Sequence, residues 1–301
     1  MNRPAADHRI DHYENFPVAS VLCPPHLRAP IAAIYHFART ADDIADEGDA
    51  TAQERLDALG DFRAQLTRVA ANPSVSTADL DPRWAGVFAA LARTLQRHTL
   101  PVPLLHDLLD AFAQDIAKTR DGAGYATEAE LRDYCRRSAN PVGRLLLHLY
   151  GVTSPQALAE SDAICTALQL INFWQDPNVD IPRGRYYFTQ EVQDRFGVNA
   201  ADLLARKQTP AATRMVADCV AQARATMQKG APLVHRVPGR AGWELRLVVQ
   251  GGLRILDRIE ALGYATLQTR PTLRAWDYAV MLWRTLWMRA AKPDSDGTIS
   301  P

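Results

Sequence analysis

Acidic side chains gather in two short stretches of this 301-residue chain, and their spacing could do chemistry. If the first stretch is helical, Asp42 and Asp46 lie one turn apart on one face, one turn after Arg39. Two carboxylates stacked in this way repel each other unless a cation joins them, and hard oxygen ligands suit Mg²⁺. Asp43 is turned about 100° away from Asp42 and is a weaker candidate. Taken alone, an acidic helix end exposed to solvent would explain this stretch equally well.

The second acidic stretch places Asn172, Asp176 and Asp180 at steps of four, which gives three oxygen-bearing side chains along one helical stripe. An apolar segment precedes them and would carry the stripe into a helix bundle, where polar groups are costly unless they coordinate something. Arg183 and Arg185 follow directly, and guanidinium groups grip phosphate oxygens well. Two acidic stripes, each with a nearby arginine, predict a site for a metal ion and a diphosphate.

The elements that must position these stripes are helical almost throughout, because apolar residues recur at steps of three and four and no segment alternates like a strand. Pro177 interrupts the second stripe, so we expect either a kinked helix or an Asp180 supplied from a distorted turn. The fold expected is a single all-α domain over residues 1–301, with a core at about 10–290 and a frayed tail at 292–301. Helices are predicted from Pro30, with Pro30 in the first turn, and around residues 56–69, 84–95, 104–112, 127–150, 155–175, 209–229, 240–262 and 273–289.

The overall composition excludes several classes of protein. Lys+Arg and Asp+Glu both number 34, and a chain without net positive charge is a poor nucleic-acid binder. Hydrophobic residues at 47% and charged residues at 23% describe a folded chain, and no apolar run is long enough to span a bilayer. The first residues lack a signal-peptide pattern, so we expect a cytoplasmic protein, with peripheral contact at the inner membrane as an option. The cysteines have no metal or redox spacing and are expected to be buried free thiols: Cys23, Cys135, Cys165 and Cys219.

Three motifs together resemble the squalene/phytoene synthase family. They are Tyr35-x3-Arg39-x2-Asp42-x3-Asp46, then Tyr134-Cys135, then Gln169-x2-Asn172-x3-Asp176-x3-Asp180-x4-Arg185-x-Tyr187. Their order and spacing resemble those of the family from about residue 14 to residue 190. Within the family, residues 14–20, 39–49 and 138–144 are similar to the hydroxysqualene synthase branch of bacterial hopanoid biosynthesis.

The resemblance implies an all-α isoprenoid synthase with a deep cavity between two aspartate-rich helices, where Mg²⁺ ions bind a prenyl diphosphate and help the diphosphate leave. By position, the implied metal ligands are Asp42, Asp46, Asn172, Asp176 and Asp180. Arg39 and Arg185 would bind diphosphate, with Tyr187 beside them. The residues implied to line the reacting part of the cavity are Tyr35, Tyr134 and Gln169, with Phe16 packed against an isoprenoid chain. Asn15 and Asn140 could hold the water that becomes a product hydroxyl.

One departure from the family pattern bears on the choice of reaction. Gln175 stands where family members commonly carry an arginine or lysine, which argues against tight binding of a second diphosphate. This favours a substrate with one diphosphate, presqualene diphosphate. Three alternatives stay open: condensation of two prenyl diphosphates, a chain-elongating synthase suggested by Asp42-Asp43-x-x-Asp46, and a helical binding protein that has lost catalysis. Intact ligands in both stripes argue against the last of these.

Three of the six tryptophans lie in the C-terminal helical segment, at Trp276, Trp283 and Trp287. Arg284 and Arg289 lie among them. One interpretation is an interfacial surface that delivers an apolar product to a membrane. The other is a core-packing helix that closes the bundle, and the sequence alone favours this simpler interpretation.

Overall fold

Helices form every regular element of residues 23–288, the part of the chain that the computed structural model describes. This confirms the all-α prediction. The α-helices are α1 (Pro25–Asp46), α2 (Ala52–Ala71), α3 (Ala85–His98), α4 (Val102–Asp121), α5 (Glu128–Ser138), α6 (Asn140–Leu149), α7 (Pro155–Gln175), α8 (Pro177–Asp180), α9 (Gln190–Phe196), α10 (Ala200–Leu204), α11 (Pro210–Gly230), α12 (Gly239–Ala261) and α13 (Ala275–Leu286). Short 3₁₀ turns lie at Thr77–Asp79, Ile181–Arg183 and Ala231–His235.

Hydroxyl side chains fix the start of several helices. At α2, the Thr51 hydroxyl accepts from the Glu54 backbone N–H, while the Glu54 carboxylate accepts from the Thr51 N–H. Such a reciprocal cap satisfies two backbone donors that a helix start would otherwise leave unpaired. Comparable single caps begin other helices, at Thr127, Ser154, Thr189 and Thr209.

Two helix boundaries differ from those predicted, both because of proline. The helix predicted over 127–150 is two helices, α5 and α6, which meet at Ala139. Pro141 has no N–H to donate and disfavours helical geometry in the residue before it, so α5 ends and α6 begins afresh. At the other site, Pro25 occupies the first turn of α1 and Pro30 lies inside the helix. The rule that proline favours the first turn of a helix therefore holds for Pro25, and the prediction that Pro30 occupies that turn is wrong.

The described chain has two hydrophobic cores. The first lies among α1, α2, α3 and α4 and contains the buried rings of Phe37, Phe62 and Phe88. The second surrounds α7, α11 and α12 and includes Ile171 and Val249. A cavity lies between these two cores and borders both α1 and α7. Helix α1 carries the first acidic stripe, and α7 carries the start of the second. The fold therefore places both helices along the wall of one cavity. Within residues 23–288, no helix is long and apolar enough to cross a membrane.

Candidate active site

The cavity has a volume of about 560 Å³ and two chemically different ends. Side chains from the first halves of α1 and α7 that line it are mostly apolar, such as Ile31 and Ile164, with Ser161 as a polar exception. Further along the same helices the lining becomes polar, with Asp42 and Asp46 on α1 and Asn172 on α7. Both helices thus run from the apolar end towards the polar end. Such an arrangement suits a long hydrocarbon substrate with a charged group at one end.

The first acidic stripe lies on the regular helix α1. The helical period brings Tyr35, Asp42 and Asp46 to the cavity surface together. The Arg39 guanidinium lies 3.0 Å from the Asp42 carboxylate and 2.7 Å from the carboxylate of Asp43. Burial, and then the neighbouring Asp46 carboxylate, raise the pKa of Asp42 to about 6, although Arg39 acts in the opposite direction. The stripe therefore carries more negative charge than Arg39 neutralises.

The second stripe lies on a broken helix, as Pro177 led us to expect. Helix α7 ends at Gln175, Asp176 leaves helical geometry with φ −110° and ψ 19°, and α8 supplies Asp180. The Asp180 backbone N–H still donates to the Asp176 carbonyl over 2.9 Å, so the two residues stay one turn apart. Burial, and then the Asp176 carboxylate, raise the pKa of Asp180 to about 7.

Arg185 connects the two stripes. Gly184 adopts a left-handed φ of 76°, a conformation favourable to glycine, and this turn follows the 3₁₀ segment after α8. The Arg185 guanidinium then lies 2.5 Å from the Asp46 carboxylate on α1, and its charge also lowers the pKa of Asp180. Because Arg185 also lines the cavity, it is placed to bind an anion between the stripes.

A second arginine, Arg270, was missed by the sequence analysis. Its guanidinium binds both carboxylate oxygens of Asp176, with Nε to Oδ1 at 2.6 Å and Nη2 to Oδ2 at 3.2 Å. The amide of Gln175 donates to the Pro271 carbonyl over 2.8 Å, which holds the same segment against the end of α7. The positive charge absent at position 175 therefore reaches this cluster from a residue 94 positions away from Asp176. No local sequence signal predicts that pairing.

Aromatic side chains and a further carboxylate, Asp115, form the wall beside the polar end. The Tyr187 ring stacks on Phe173 with 3.7 Å between centroids, and Tyr134 packs against both rings. The Tyr134 hydroxyl donates to the Asp115 carboxylate over 2.5 Å. Burial raises the pKa of Asp115 to about 7, although the Tyr134 hydrogen bond acts in the opposite direction. Asp115 follows Phe112 by three residues on α4, so a carboxylate on an apolar helical face was the sequence signal that could have revealed it.

Comparison with known proteins agrees with this geometry. The family model described as squalene/phytoene synthase matches residues 10–277. The chain belongs to the squalene/phytoene synthase family. A relative called hydroxysqualene synthase from Zymomonas mobilis is 39% identical over 63% of this chain, and the match spans 59% of that relative. Another relative of that name, from Rhodopseudomonas palustris, is 32% identical over 82% of the chain and 80% of the relative. The crystal structure of squalene synthase HpnC from Alicyclobacillus acidocaldarius superposes with a TM-score of 0.74 at 36% identity, covering 84% of this chain and 90% of that one.

The chain is accordingly an isoprenoid synthase that acts on a prenyl diphosphate, and most of the residues expected for that role lie together. Those that line the cavity are Tyr35, Arg39, Asp42, Asp46, Tyr134, Gln169, Asn172, Arg185 and Tyr187. Asp176 and Asp180 follow directly at the end of α7 and in α8. The roles assigned to these residues remain predictions.

One expected residue of the synthase, Asn140, stands apart from this group. Asn140 is buried, and its amide oxygen accepts from the Thr166 hydroxyl over 2.9 Å. The structure therefore assigns Asn140 a hydrogen bond between α6 and α7 rather than the expected place on the cavity surface, because the break after α5 turns it towards Thr166. Asn15 and Phe16 lie outside the described residues, as does the predicted tail at 292–301.

The oxygen ligands of the synthase suit a Mg²⁺ ion that binds protein carboxylates and the substrate's phosphate oxygens together. Within residues 23–288, no three His, Cys, Asp or Glu side chains already converge as a complete metal site. The carboxylates instead pair with arginines, as Asp46 does with Arg185 and Asp176 with Arg270. Mg²⁺ commonly takes one or two carboxylates together with waters and phosphate oxygens, so a complete protein cage is not required. Burial first, and then a neighbouring carboxylate, raise the pKa values of Asp42 and Asp180. A divalent cation would stabilise the charged form of both side chains.

Proposed function

We propose that this synthase converts presqualene diphosphate and water to hydroxysqualene and diphosphate in a Mg²⁺-dependent reaction of hopanoid biosynthesis. The observation that carries the proposal is a cavity lined by Asp42, Asp46, Asn172 and Arg185 at one end and mostly by apolar side chains elsewhere. Relatives named hydroxysqualene synthase support the choice of reaction.

The polar end would hold the diphosphate. Asp42, Asp46, Asn172, Asp176 and Asp180 would supply oxygen ligands to Mg²⁺, which when bound stabilises the charge on the departing diphosphate. The guanidinium groups of Arg39 and Arg185 would donate to the diphosphate oxygens as their negative charge grows. Because Asp46 already holds Arg185 in place before the carbon–oxygen bond breaks, this cation lowers the barrier with little reorganisation.

The aromatic wall would manage the hydrocarbon part and the attacking water. The rings of Tyr35 and Tyr187, which line the cavity, can face a developing positive charge through their π-electrons without forming a bond to it. Apolar walls exclude other water molecules, which would end the reaction early. As the water oxygen bonds to carbon, one proton must leave it. The pair formed by Tyr134 and Asp115 can accept that proton, since burial gives Asp115 a pKa of about 7.

We further propose that the enzyme works in the cytoplasm, in transient contact with the inner membrane. All four cysteines are free, and three of them are buried. Unpaired thiols are typical of a reducing compartment.

The assay that tests the function uses Mg²⁺ with either presqualene diphosphate or farnesyl diphosphate, each with and without NADPH. Hydroxysqualene from presqualene diphosphate alone is the expected result. Efficient formation of presqualene diphosphate from farnesyl diphosphate would instead support the second candidate, condensation of two prenyl diphosphates. One observation favours that candidate: Arg270 restores a positive charge beside Asp176, where a second diphosphate would need one. Failure to release diphosphate from either substrate would indicate a binding protein.

A further inference from the structure

The outward face of α13 is the most apolar exposed surface of the described chain. Trp276, Trp283 and Trp287 are 69%, 62% and 58% exposed, and Tyr278, Leu282 and Leu286 are also exposed. The buried face of the same helix is narrow and consists of Asp277, Met281 and Thr285 at steps of four. Helix α13 therefore packs on α12 through a narrow face, and its tryptophans lie on the exposed side. We call the six exposed apolar side chains of α13 the tryptophan face.

The tryptophan face lies one helix away from the substrate cavity. Helix α12 turns Ala241, Leu245 and Val248 towards the cavity. Its other side holds α13, since the Arg246 guanidinium donates to the Thr285 carbonyl over 3.3 Å. Arg246 also lies 4.5 Å above the ring of Trp243, another exposed tryptophan. The tryptophan face thus lies behind the cavity wall that α12 provides, in which Glu244 accompanies the apolar side chains.

Arginines outnumber the carboxylates beside the tryptophan face. Within α13 the outward side carries one charged residue, Arg284. Arg240 is exposed at the start of α12, close in sequence to Trp243. Asp257 pairs with Arg254 and Arg284, and Asp277 pairs with Arg254 and Arg258, so three arginines share two carboxylates. This excess of positive charge is complementary to an anionic surface.

We propose that the tryptophan face docks on the headgroup region of an anionic lipid bilayer. Tryptophan and tyrosine combine an apolar ring with a polar hydrogen-bonding group, and they concentrate where hydrocarbon meets water. The 12 residues of α13 extend about 18 Å, which is enough to lie along a bilayer surface but too little to span it. A second copy of the chain would not require arginines at the rim, whereas anionic lipid does. The inference rests on the proposed function in one respect. An apolar product would pass from the cavity directly into lipid.

Vesicle flotation of the full chain tests this docking without any substrate. We expect the wild type to float with vesicles of phosphatidylcholine and phosphatidylglycerol, and less with phosphatidylcholine alone. The variant Trp283→Ser/Trp287→Ser should lose about 10-fold or more of its partitioning, because it removes two buried aromatic anchors from the bound state. The matched control is Leu204→Ser on α10, which is also an exposed large apolar residue and should float like the wild type.

Several results would overturn the docking. Wild-type protein that stays at the bottom of the gradient would do so, as would equal flotation of Trp283→Ser/Trp287→Ser or equal binding to neutral vesicles. Sedimentation without lipid tests the other occupants: a dimer that Trp283→Ser/Trp287→Ser dissociates would assign the face to a second copy. A wild-type monomer whose Trp283 and Trp287 fluorescence resists acrylamide quenching would assign the face to the chain's own ends. Diphosphate release from detergent-dispersed substrate should be unchanged in the double variant, so failure of the docking and failure of the proposed function are separable.

Discussion

The two acidic stripes serve the same end of the cavity, but the chain builds them in different ways. The first stripe lies on one helix, since Asp42, Asp46 and Arg39, the partner of Asp42, are all on α1, and only the Arg185 partner of Asp46 comes from elsewhere. The second stripe crosses a break in the helix after Gln175 and takes Arg270 as a partner from 94 residues away. The comparison shows that similar acidic patterns can rest on local geometry in one case and on tertiary contacts in the other.

The difference also has an electrostatic side. Arg39 is half-exposed and shared among Asp42, Asp43 and Glu47, so it can turn towards a ligand at little cost. Arg270 is held by both oxygens of one carboxylate. Such a bidentate pair is more directional than a single contact. We therefore expect changes in the first stripe to act mainly on chemistry and changes in the second to act also on stability.

The sharpest test of the first stripe is Asp46→Asn, with Asp43→Asn as the matched control. Both variants remove one negative charge from α1, but only Asp46 lines the cavity and contacts Arg185. We expect diphosphate release to fall about 10³-fold in Asp46→Asn, comparable to the loss of a preorganised electrostatic group. Asp43→Asn should change the rate less than about 3-fold. Rates measured at saturating Mg²⁺ decide this, and equal losses in the two variants would contradict a role set by helical face.

For the second stripe, Arg270→Gln should reduce stability. The change leaves Asp176 without its bidentate partner beside Asp180, at a cost of about 1–2 kcal/mol, or a Tm lower by about 2–3 °C. Mg²⁺ should then raise the Tm more in Arg270→Gln than in the wild type, because the cation replaces the lost positive charge. Thermal unfolding with EDTA and with Mg²⁺ measures both effects. Arg214→Gln, at an exposed position on α11, is the control and should change neither.

The same division, between local geometry and tertiary contacts, separates what the sequence predicted from what it did not. Helical spacing was enough to predict that Asp42 and Asp46 share a face, and Pro177 was enough to predict the break before Asp180. Nothing near Gln175 indicated that Pro271 and Arg270 would close over it, because that contact depends on how α12 packs against α7. Nor does a pattern of types and spacing say how far a side chain is exposed, and so the sequence left the environment of the α13 tryptophans open.

Gly143 tests how the helix that carries the second stripe is placed. A Cβ at Gly143 on α6 would collide with the Ser161 hydroxyl and lie 2.6 Å from the Cys165 sulfur on α7. We expect Gly143→Ala to cost about 1–2 kcal/mol of unfolding free energy, because α6 and α7 must separate. Gly60→Ala on α2, where a Cβ meets nothing within 4 Å, should instead stabilise by up to about 1 kcal/mol. Urea unfolding of both variants measures the contrast, and equal effects would show that the approach of α6 to α7 is not tight.

Asp115 belongs to neither stripe, but it lies close enough to the first for the Asp46 charge to affect it. Its pKa rises from 3.8 to about 7 in the folded protein, so the folded state binds its proton more tightly than the unfolded state does. The stabilisation from this group is therefore fully present below pH about 4 and is lost as the pH rises towards 7. Asp115→Asn removes the dependence, because an amide does not titrate. With EDTA present, the Tm of Asp115→Asn relative to the wild type should rise by about 2 °C or more between pH 5 and pH 8. A constant difference between the two proteins over that range would mean that Asp115 keeps an ordinary pKa, and the proton-accepting role proposed for its pair with Tyr134 would lose its basis.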